Sequence, residues 1–497
     1  MPERTGVPPG GRASRPRLDP GHPSASRDRA CPLPVERHEI SRKQGTSAVR
    51  RAGAGRTIAL RGARLRQGGS MSDTDRLDPG SMARAFREAR RRGMDVEPAV
   101  LFHDLGRMRA RIGRIGAAFP PGALHTVAIK ANPLVEVLRA AVDCGAGLEA
   151  ASLEEVKLSL AAGCPPDRIV YDSPAKSRAD IAEALRLGVR INADNLDELG
   201  RIDELVGHGG AASRIGLRIN PQVGASSIAL TSVADRRSKF GVPLEQADAV
   251  RAAFARYAWL AGLHVHVGSQ GCALSQLIDG IGRVEALRQE LRRAMGPLAA
   301  GTMDIGGGLP VAYRSTDRPP ALEDYAAALR REVPTLFEEG TTLITEFGRW
   351  IQAGCGFAVS RVEYVKKDSA GRTAILHLGA DFLLRRAYHP DDWHHDFMAL
   401  DPEAEPKGGP LSPCTLGGPL CFGGDVLARE LAFPELSPGD LVLIRDTGAY
   451  TLSMWSRHCS RGIPAVLGVD ADDLRVLRER ELPEDVVAFW SRGRGRP

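Results

Sequence analysis

An α/β fold, a (β/α)8 barrel followed by a mainly β C-terminal domain, is predicted by three features of this 497-residue chain. Apolar, strand-like runs centred on Ala128, Glu149, Val170, Asn192, Leu217, Val265, Asp304 and Thr345 alternate with helical patterns, as at residues 153–162, 178–187 and 274–293. The first four recur about every 21 residues, the length of one strand–turn–helix unit, as parallel strands with helical crossovers require. Beyond Gly348 the pattern changes to short β-like runs broken by Gly and Pro, at 357–365, 372–378, 440–444 and 465–469.

Taken in order, residues 1–75 are rich in Arg, Pro, Gly and Ser without apolar periodicity and are expected to be a disordered extension. Met71 is a natural place for translation to start, which would make the upstream stretch an over-extended reading. Residues 76–109 form an N-terminal segment. Its strand-like run at 98–104 is expected to join the β domain, because no barrel helix precedes it. Leu105, Met108, Ile112 and Ile115 then mark one face of a helix. The barrel is placed at 110–350 and the β domain, a sandwich or barrel-like unit, at 351–497.

The first barrel strand ends in Ala128-Ile129-Lys130-Ala131-Asn132. Alternation puts Thr126, Ala128 and Lys130 on one face and Val127 and Ile129 on the other. A lysine at a barrel strand's C-terminal end, partly desolvated, is expected to have a lowered pKa and to suit Schiff-base chemistry; the alternative is a snorkelling surface lysine. The stretch 221–242 is longer than a barrel loop needs and rich in small polar residues, as functional barrel-top loops often are.

His264 and His266 share a face at the end of strand six. His264 reads as a hydrogen-bonded core residue, and His266 as a ring able to stack on a flat ligand, with Ser269 a phosphate donor just beyond. Gly306, Gly307 and Gly308 follow strand seven and read either as a turn or as a backbone cradle for an anion. Glu346 ends strand eight. A buried carboxylate needs a partner, which is either Arg349 or the protonated nitrogen of a bound aromatic ring.

In the β domain, Cys421 reads as a core thiol or a reactive one, and Asp425, among glycines, as a turn former or a contact residue. His394 and His395, beside Asp391 and Asp392, read as an exposed polar loop and not as a metal site.

Charge and cysteine usage narrow the function classes. Residues 1–70 hold 15 basic and 5 acidic residues, and the rest of the chain holds 52 and 56. The net charge of +6 therefore belongs to the extension, and the mildly acidic body suggests no nucleic-acid partner. No run approaches the roughly 18 apolar residues of a membrane span. The eight cysteines form no C-x-x-C pair, which disfavours a zinc site or disulfide framework and fits a reducing cytoplasm.

In this order the motifs resemble the fold-type III pyridoxal-phosphate-dependent decarboxylases, the group of diaminopimelate, ornithine and carboxynorspermidine decarboxylases, from about residue 96 to 470. The resemblance implies that pyridoxal 5'-phosphate is the cofactor and Lys130 its Schiff-base lysine. It implies that His266 stacks on the ring, that Ser269 and Gly306 to Gly308 bind the phosphate, and that Glu346 meets the ring nitrogen. Arg349 matches an arginine that meets phosphate or substrate carboxylate, and Tyr450 a tyrosine near the phosphate. Arg385 and Asp425 fall in substrate-contacting stretches. Cys421 and Asp425 match a Cys-x-x-Gly-Asp motif that crosses to the partner subunit of a homodimer, so the active sites are expected to be shared. Lys130 or Cys421 is the expected proton donor to the α-carbon.

The chain departs from the family pattern mostly at the substrate end. Phe347 replaces the proline of Glu-Pro-Gly-Arg, and Phe422 stands where diaminopimelate decarboxylases carry a glutamate. Residues 384–389 alter an Arg-Pro stretch, and 453–458 replace an Asn-containing one. The expected activity is decarboxylation of an amino acid other than diaminopimelate. Two alternatives are an amino-acid racemase on the same fold and an inactive regulatory homologue. Glu346 argues against the first, since alanine racemases carry an arginine there, and retention of Lys130 and Cys421 argues against the second.

Overall fold

The structure, a computed structural model, describes residues 76–207, 213–369, 371–471 and 473–491. The expectations for residues 1–75 lie outside the described residues.

Eight parallel strands close a ring: β2 (Leu124–Ala128), β3 (Gly147–Ala150), β4 (Ile169–Asp172), β5 (Arg190–Ala193), β6 (Ile215–Asn220), β8 (Leu260–His264), β9 (Thr302–Asp304) and β10 (Thr342–Phe347). Pairing runs in sequence order. The ring closes where Ile344 to Phe347 of β10 pair with Leu124 to Val127 of β2. The short β7 (Val242–Pro243) pairs with the end of β6, at the far end of the long loop the sequence singled out.

Three of the helices between barrel strands begin where side chains satisfy the first backbone N–H groups. Ser152 caps Leu153–Ala161, Asn195 caps Leu196–Val206, and Ser177 with Asp180 forms a reciprocal capping box on Arg178–Leu187. Leu105, Met108, Ile112 and Ile115 are the buried apolar face of Leu105–Ala118. A continuous apolar layer lies between strands and helices, each fully buried Leu or Ile contributing about 1.5–3 kcal/mol.

The second sheet begins with β1 (Ala99–Asp104), which pairs antiparallel with β11 (Gly356–Asp368) and parallel with β17 (Ala465–Asp470). β12 (Gly371–Leu376), β14 (Ser412–Gly417) and β15 (Val426–Phe433) extend one side of it. β13 (Phe397–Leu400) and β16 (Leu441–Ile444) pair with each other and through β16 with β11, and β18 (Asp473–Arg478) ends the other side. β13, β14, β15 and β18 were not apparent in the sequence pattern, being short or irregularly alternating. The helix Pro79–Arg91 covers this sheet. Its Met82 and Phe86 pack with Val100, Phe102 and Phe357, the last two rings stacked at 4.4 Å.

Candidate active site

Lys130 lies just past β2, on a single 3-10 turn, Ile129–Ala131, and not in the strand itself. Its ammonium donates to both carboxylate oxygens of Glu149 at 2.5 Å, and the side chain is 36 % exposed into a cavity of about 300 Å³. The expected lowering of its pKa is not found. Burial pushes the pKa down, but the carboxylates of Glu149 and Glu346, with Tyr450 and Asp172, outweigh it and the net shift is up. Glu149, on β3, was recognised only as the centre of a strand. A lone carboxylate within a fully buried strand was the signal that it belongs to the site.

The cavity floor is polar. Glu346, on β10, is buried, and neither carboxylate oxygen has a hydrogen-bond partner among the described residues. Burial and the nearby charges of Glu149 and Asp172 raise its pKa well above the usual carboxylate range. His264 lies between it and Asp172, at 3.5 Å and 3.7 Å. Asp172 is in turn held by Arg218 at 3.0 Å. Burial would push the Asp172 pKa up, but Arg218 and His264 outweigh that and the net shift is down.

The wall beside the floor is backbone. Gly306, at φ 64°, and Gly308, at φ 104°, are left-handed, and a Cβ on Gly307 would sit 2.2 Å from the Glu346 carbonyl oxygen. No side chain other than hydrogen fits these positions without displacing β10 or the His266 loop. The Gly307 N–H donates to His266 Nδ1 at 3.2 Å, which leaves the ring proton on Nε2. Burial, with Arg218 and Lys130, holds His266 well below the ordinary imidazole pKa, so it is a neutral, flat wall.

At the mouth two guanidinium groups share two aromatic faces. Arg349 lies 4.9 Å from the Trp393 ring and 4.5 Å from the Tyr450 ring, and Arg385 lies 4.6 and 4.7 Å from the same rings. Arg349 also donates to Tyr313 Oη at 2.9 Å and to Ser269 Oγ at 3.3 Å. Neither arginine has a carboxylate partner among the described residues. Burial and the charge of Arg349 bring Arg385 down to about 10. Two unneutralised cations side by side at a cavity mouth suit an anionic ligand.

Tyr450 comes from the β domain. Its N–H donates to the Ala131 carbonyl at 2.9 Å, which ties the Asp446–Tyr450 loop to the Lys130 turn. Lys130, His266, Ser269, Gly308, Glu346, Arg349, Arg385 and Tyr450 thus line one cavity. Trp393 and Tyr313, which no sequence motif contains, pack against the two arginines of that cavity.

Cys421 and Asp425 are not brought to this cavity. Cys421 is exposed on its loop. Asp425 is buried, and its oxygens accept the backbone N–H groups of Ala380 and Leu420, each at 2.6 Å. Its carboxylate therefore organises its own loop. The expectation that His394 and His395 form an exposed loop is also corrected. His395 is buried against the Arg445 carbonyl at 2.9 Å, and His394 meets Asp396 at 2.8 Å. The apolar neighbour Trp393 pulls the segment inward.

These residues fit an aromatic cofactor with a phosphate. The buried carboxylate of Glu346 would suit a cationic ring nitrogen, the glycine cradle and Ser269 would suit the phosphate, and Lys130 reaches the same space. A barrel with such a site at its strand ends, closed by a β domain, defines a pyridoxal-phosphate enzyme of fold-type III.

Residues 105–353 match the family model described as pyridoxal-dependent decarboxylase, pyridoxal binding domain. The diaminopimelate decarboxylase of Pseudomonas aeruginosa is 34% identical over 375 residues, covering 74% of this chain and 86% of that protein. The crystal structure of diaminopimelate decarboxylase from Helicobacter pylori complexed with L-lysine superposes with a TM-score of 0.72 at 29% identity, covering 79% of this chain and 96% of that one. That of lysine/ornithine decarboxylase from Vibrio vulnificus complexed with putrescine gives 0.63 at 25%, covering 76% and 95%.

The chain belongs to the pyridoxal-dependent decarboxylase family. It is a pyridoxal-phosphate-dependent amino-acid decarboxylase of the diaminopimelate and ornithine group. Among the described residues, no helix is long and apolar enough to cross a membrane.

Proposed function

We propose that the substrate is an α-amino acid other than meso-diaminopimelate, one without a second ammonium–carboxylate centre. The observation that carries this reading is Phe422. It occupies the place of a glutamate that helps diaminopimelate decarboxylases read the far end of their substrate. Its ring packs against Tyr388 at 6.0 Å and His458 at 5.5 Å. Tyr388 lines a cavity of about 490 Å³, largely apolar, that meets the active-site cavity at Leu230, Thr231 and Arg385, and no carboxylate lines it. Neither the lining of this cavity nor position 422, on the loop each copy would offer its partner, supplies a carboxylate for a distal ammonium, and stripping one of water without a partner is costly.

In this reading Lys130 would hold the cofactor, Gly306 to Gly308, Ser269 and Tyr450 would take its phosphate, His266 would stack on its ring, and Glu346 would meet the ring nitrogen. When bound, pyridoxal phosphate supplies an electron sink for the charge left at the α-carbon when CO₂ departs. Alone, buried Glu346 favours its neutral form; a cationic ring nitrogen beside it would hold it ionised, and the pair would maintain that sink. Arg349 and Arg385 bind the substrate's anionic group and orient it. Neutral His266 and the apolar wall of Phe240 and Leu309 exclude water from the reacting carbon. Cys421 or Lys130 delivers the proton that replaces CO₂. Two copies share their sites in a homodimer, the Cys421 loop of one serving the cavity of the other.

A second reading, meso-diaminopimelate itself, is favoured by the two unpaired arginines and by the names of the relatives. A CO₂-release screen of purified enzyme against basic, acidic and carrier-linked amino acids separates the two. Turnover of meso-diaminopimelate matching or exceeding every other substrate would overturn the first reading and assign distal recognition to Arg385.

A further inference from the structure

We infer that Cys421 and Cys459 form a dithiol that a peroxide converts to an intrachain disulfide. Of the seven free cysteines among the described residues, these two are the exposed ones. They lie 38 positions apart on separate loops, yet the Cys421 N–H donates to Cys459 Sγ at 3.4 Å. The Cα of Cys421 is about 1.5 Å from that nitrogen, so Cys459 Sγ lies within about 5 Å of it. A rotation of the Cys421 side chain then brings two sulfurs to bonding range without moving either loop far.

Both loops are held in this relation. Cys459 and Ser460 have φ of 57° and 53°, a left-handed pair that turns the Cys459 thiol toward the Cys421 turn. On the other side Asp425 accepts the Leu420 N–H at 2.6 Å, and the Phe422 ring meets His458, next to Cys459, at 5.5 Å.

The chemistry balances with one peroxide. The Cys421 thiolate attacks a peroxide oxygen, the O–O bond breaks, and a sulfenic acid and hydroxide form, the hydroxide becoming water with the proton the Cys421 thiol gave up. The Cys459 thiolate then attacks the sulfenic sulfur and displaces hydroxide, which becomes water with the proton the Cys459 thiol gave up. Two thiols are oxidised by two electrons in all, and one hydrogen peroxide becomes two waters.

The consequence for activity rests on the proposed role of Cys421, because a thiol tied to Cys459 cannot donate a proton. The full-length holoenzyme, treated with graded hydrogen peroxide, should yield a Cys421–Cys459 cross-linked peptide in non-reducing proteolysis and mass spectrometry. The cross-link should run with the single-chain band and disappear with dithiothreitol. Decarboxylation should fall in parallel, at least tenfold at full cross-linking, and return on reduction. Cys459→Ser and Cys459→Ala should give no cross-link and no reversible loss. If the cross-link forms while activity is unchanged, the dithiol stands and the catalytic reading of Cys421 fails. If peroxide gives only higher oxides of Cys421, or Cys421 bridges between chains, the inference is overturned.

Discussion

In the barrel Lys130, Glu149, His266, Ser269, Gly306 to Gly308, Glu346 and Arg349 each lie within five positions of a strand's C-terminal end, enclosed by the strands on either side. Lys130 is braced by Glu149 from the next strand, and His266 by the glycine cradle of the following one. In the β domain the two motif residues are split. Asp425 is locked into its own loop, and Cys421 stands exposed beyond it. The difference separates two jobs. Holding a flat cofactor needs fixed geometry, which strand ends supply through register. Reading a substrate, or reaching another chain, needs a surface loop that can vary without disturbing the barrel. The departures from the family pattern fall mostly on the second side.

The comparison is broken most severely at Lys130. Lys130→Ala should abolish the yellow colour and lower decarboxylation by about 10⁴-fold or more, and borohydride should fix the cofactor to Lys130 of the unaltered enzyme. Labelling at another lysine would remove the barrel half of the argument. The same variant tests the other half. Mixed with Cys421→Ala under subunit exchange, it should recover activity to about a quarter of the unaltered enzyme, since half the dimers carry one intact site. Exchange without recovery would mean that each chain's loop serves its own cavity.

Glu346→Gln should be the next largest effect, lowering kcat by about 10²–10³-fold while leaving the cofactor bound. Rapid racemisation without CO₂ release in the unaltered enzyme would show that the carboxylate does not steer the reaction.

The smallest effect concerns stability. Burial holds His103 and His395 down to about 4, against an ordinary value of 6.5. Between pH 6.5 and 4 the unfolded chain takes up protons that the folded chain refuses. Stability present at pH 7 should therefore fall on acidification, by about 1–2 kcal/mol per histidine at pH 5. Urea midpoints across that range test it. A flat profile would show that the joint between barrel and β domain, where His103 meets Asn132 at 3.5 Å, admits water.

The sequence alone determined the barrel, because eight apolar runs at strand–helix spacing leave few other ways to bury them. It also marked Lys130, His266, Ser269, the three glycines, Glu346 and Arg349, because residues at successive strand ends converge whatever the loops do, and Tyr450 through the family resemblance alone. Only the tertiary structure decided the electrostatics and the mouth. Glu149 reverses the expected shift at Lys130 across a strand pairing that no local pattern reveals. Trp393, Tyr313 and Arg385 meet around Arg349 through contacts between distant segments. Whether Asp425 faces a ligand or a backbone N–H depends on a loop conformation set by its neighbours in space, and periodicity carries no information about that.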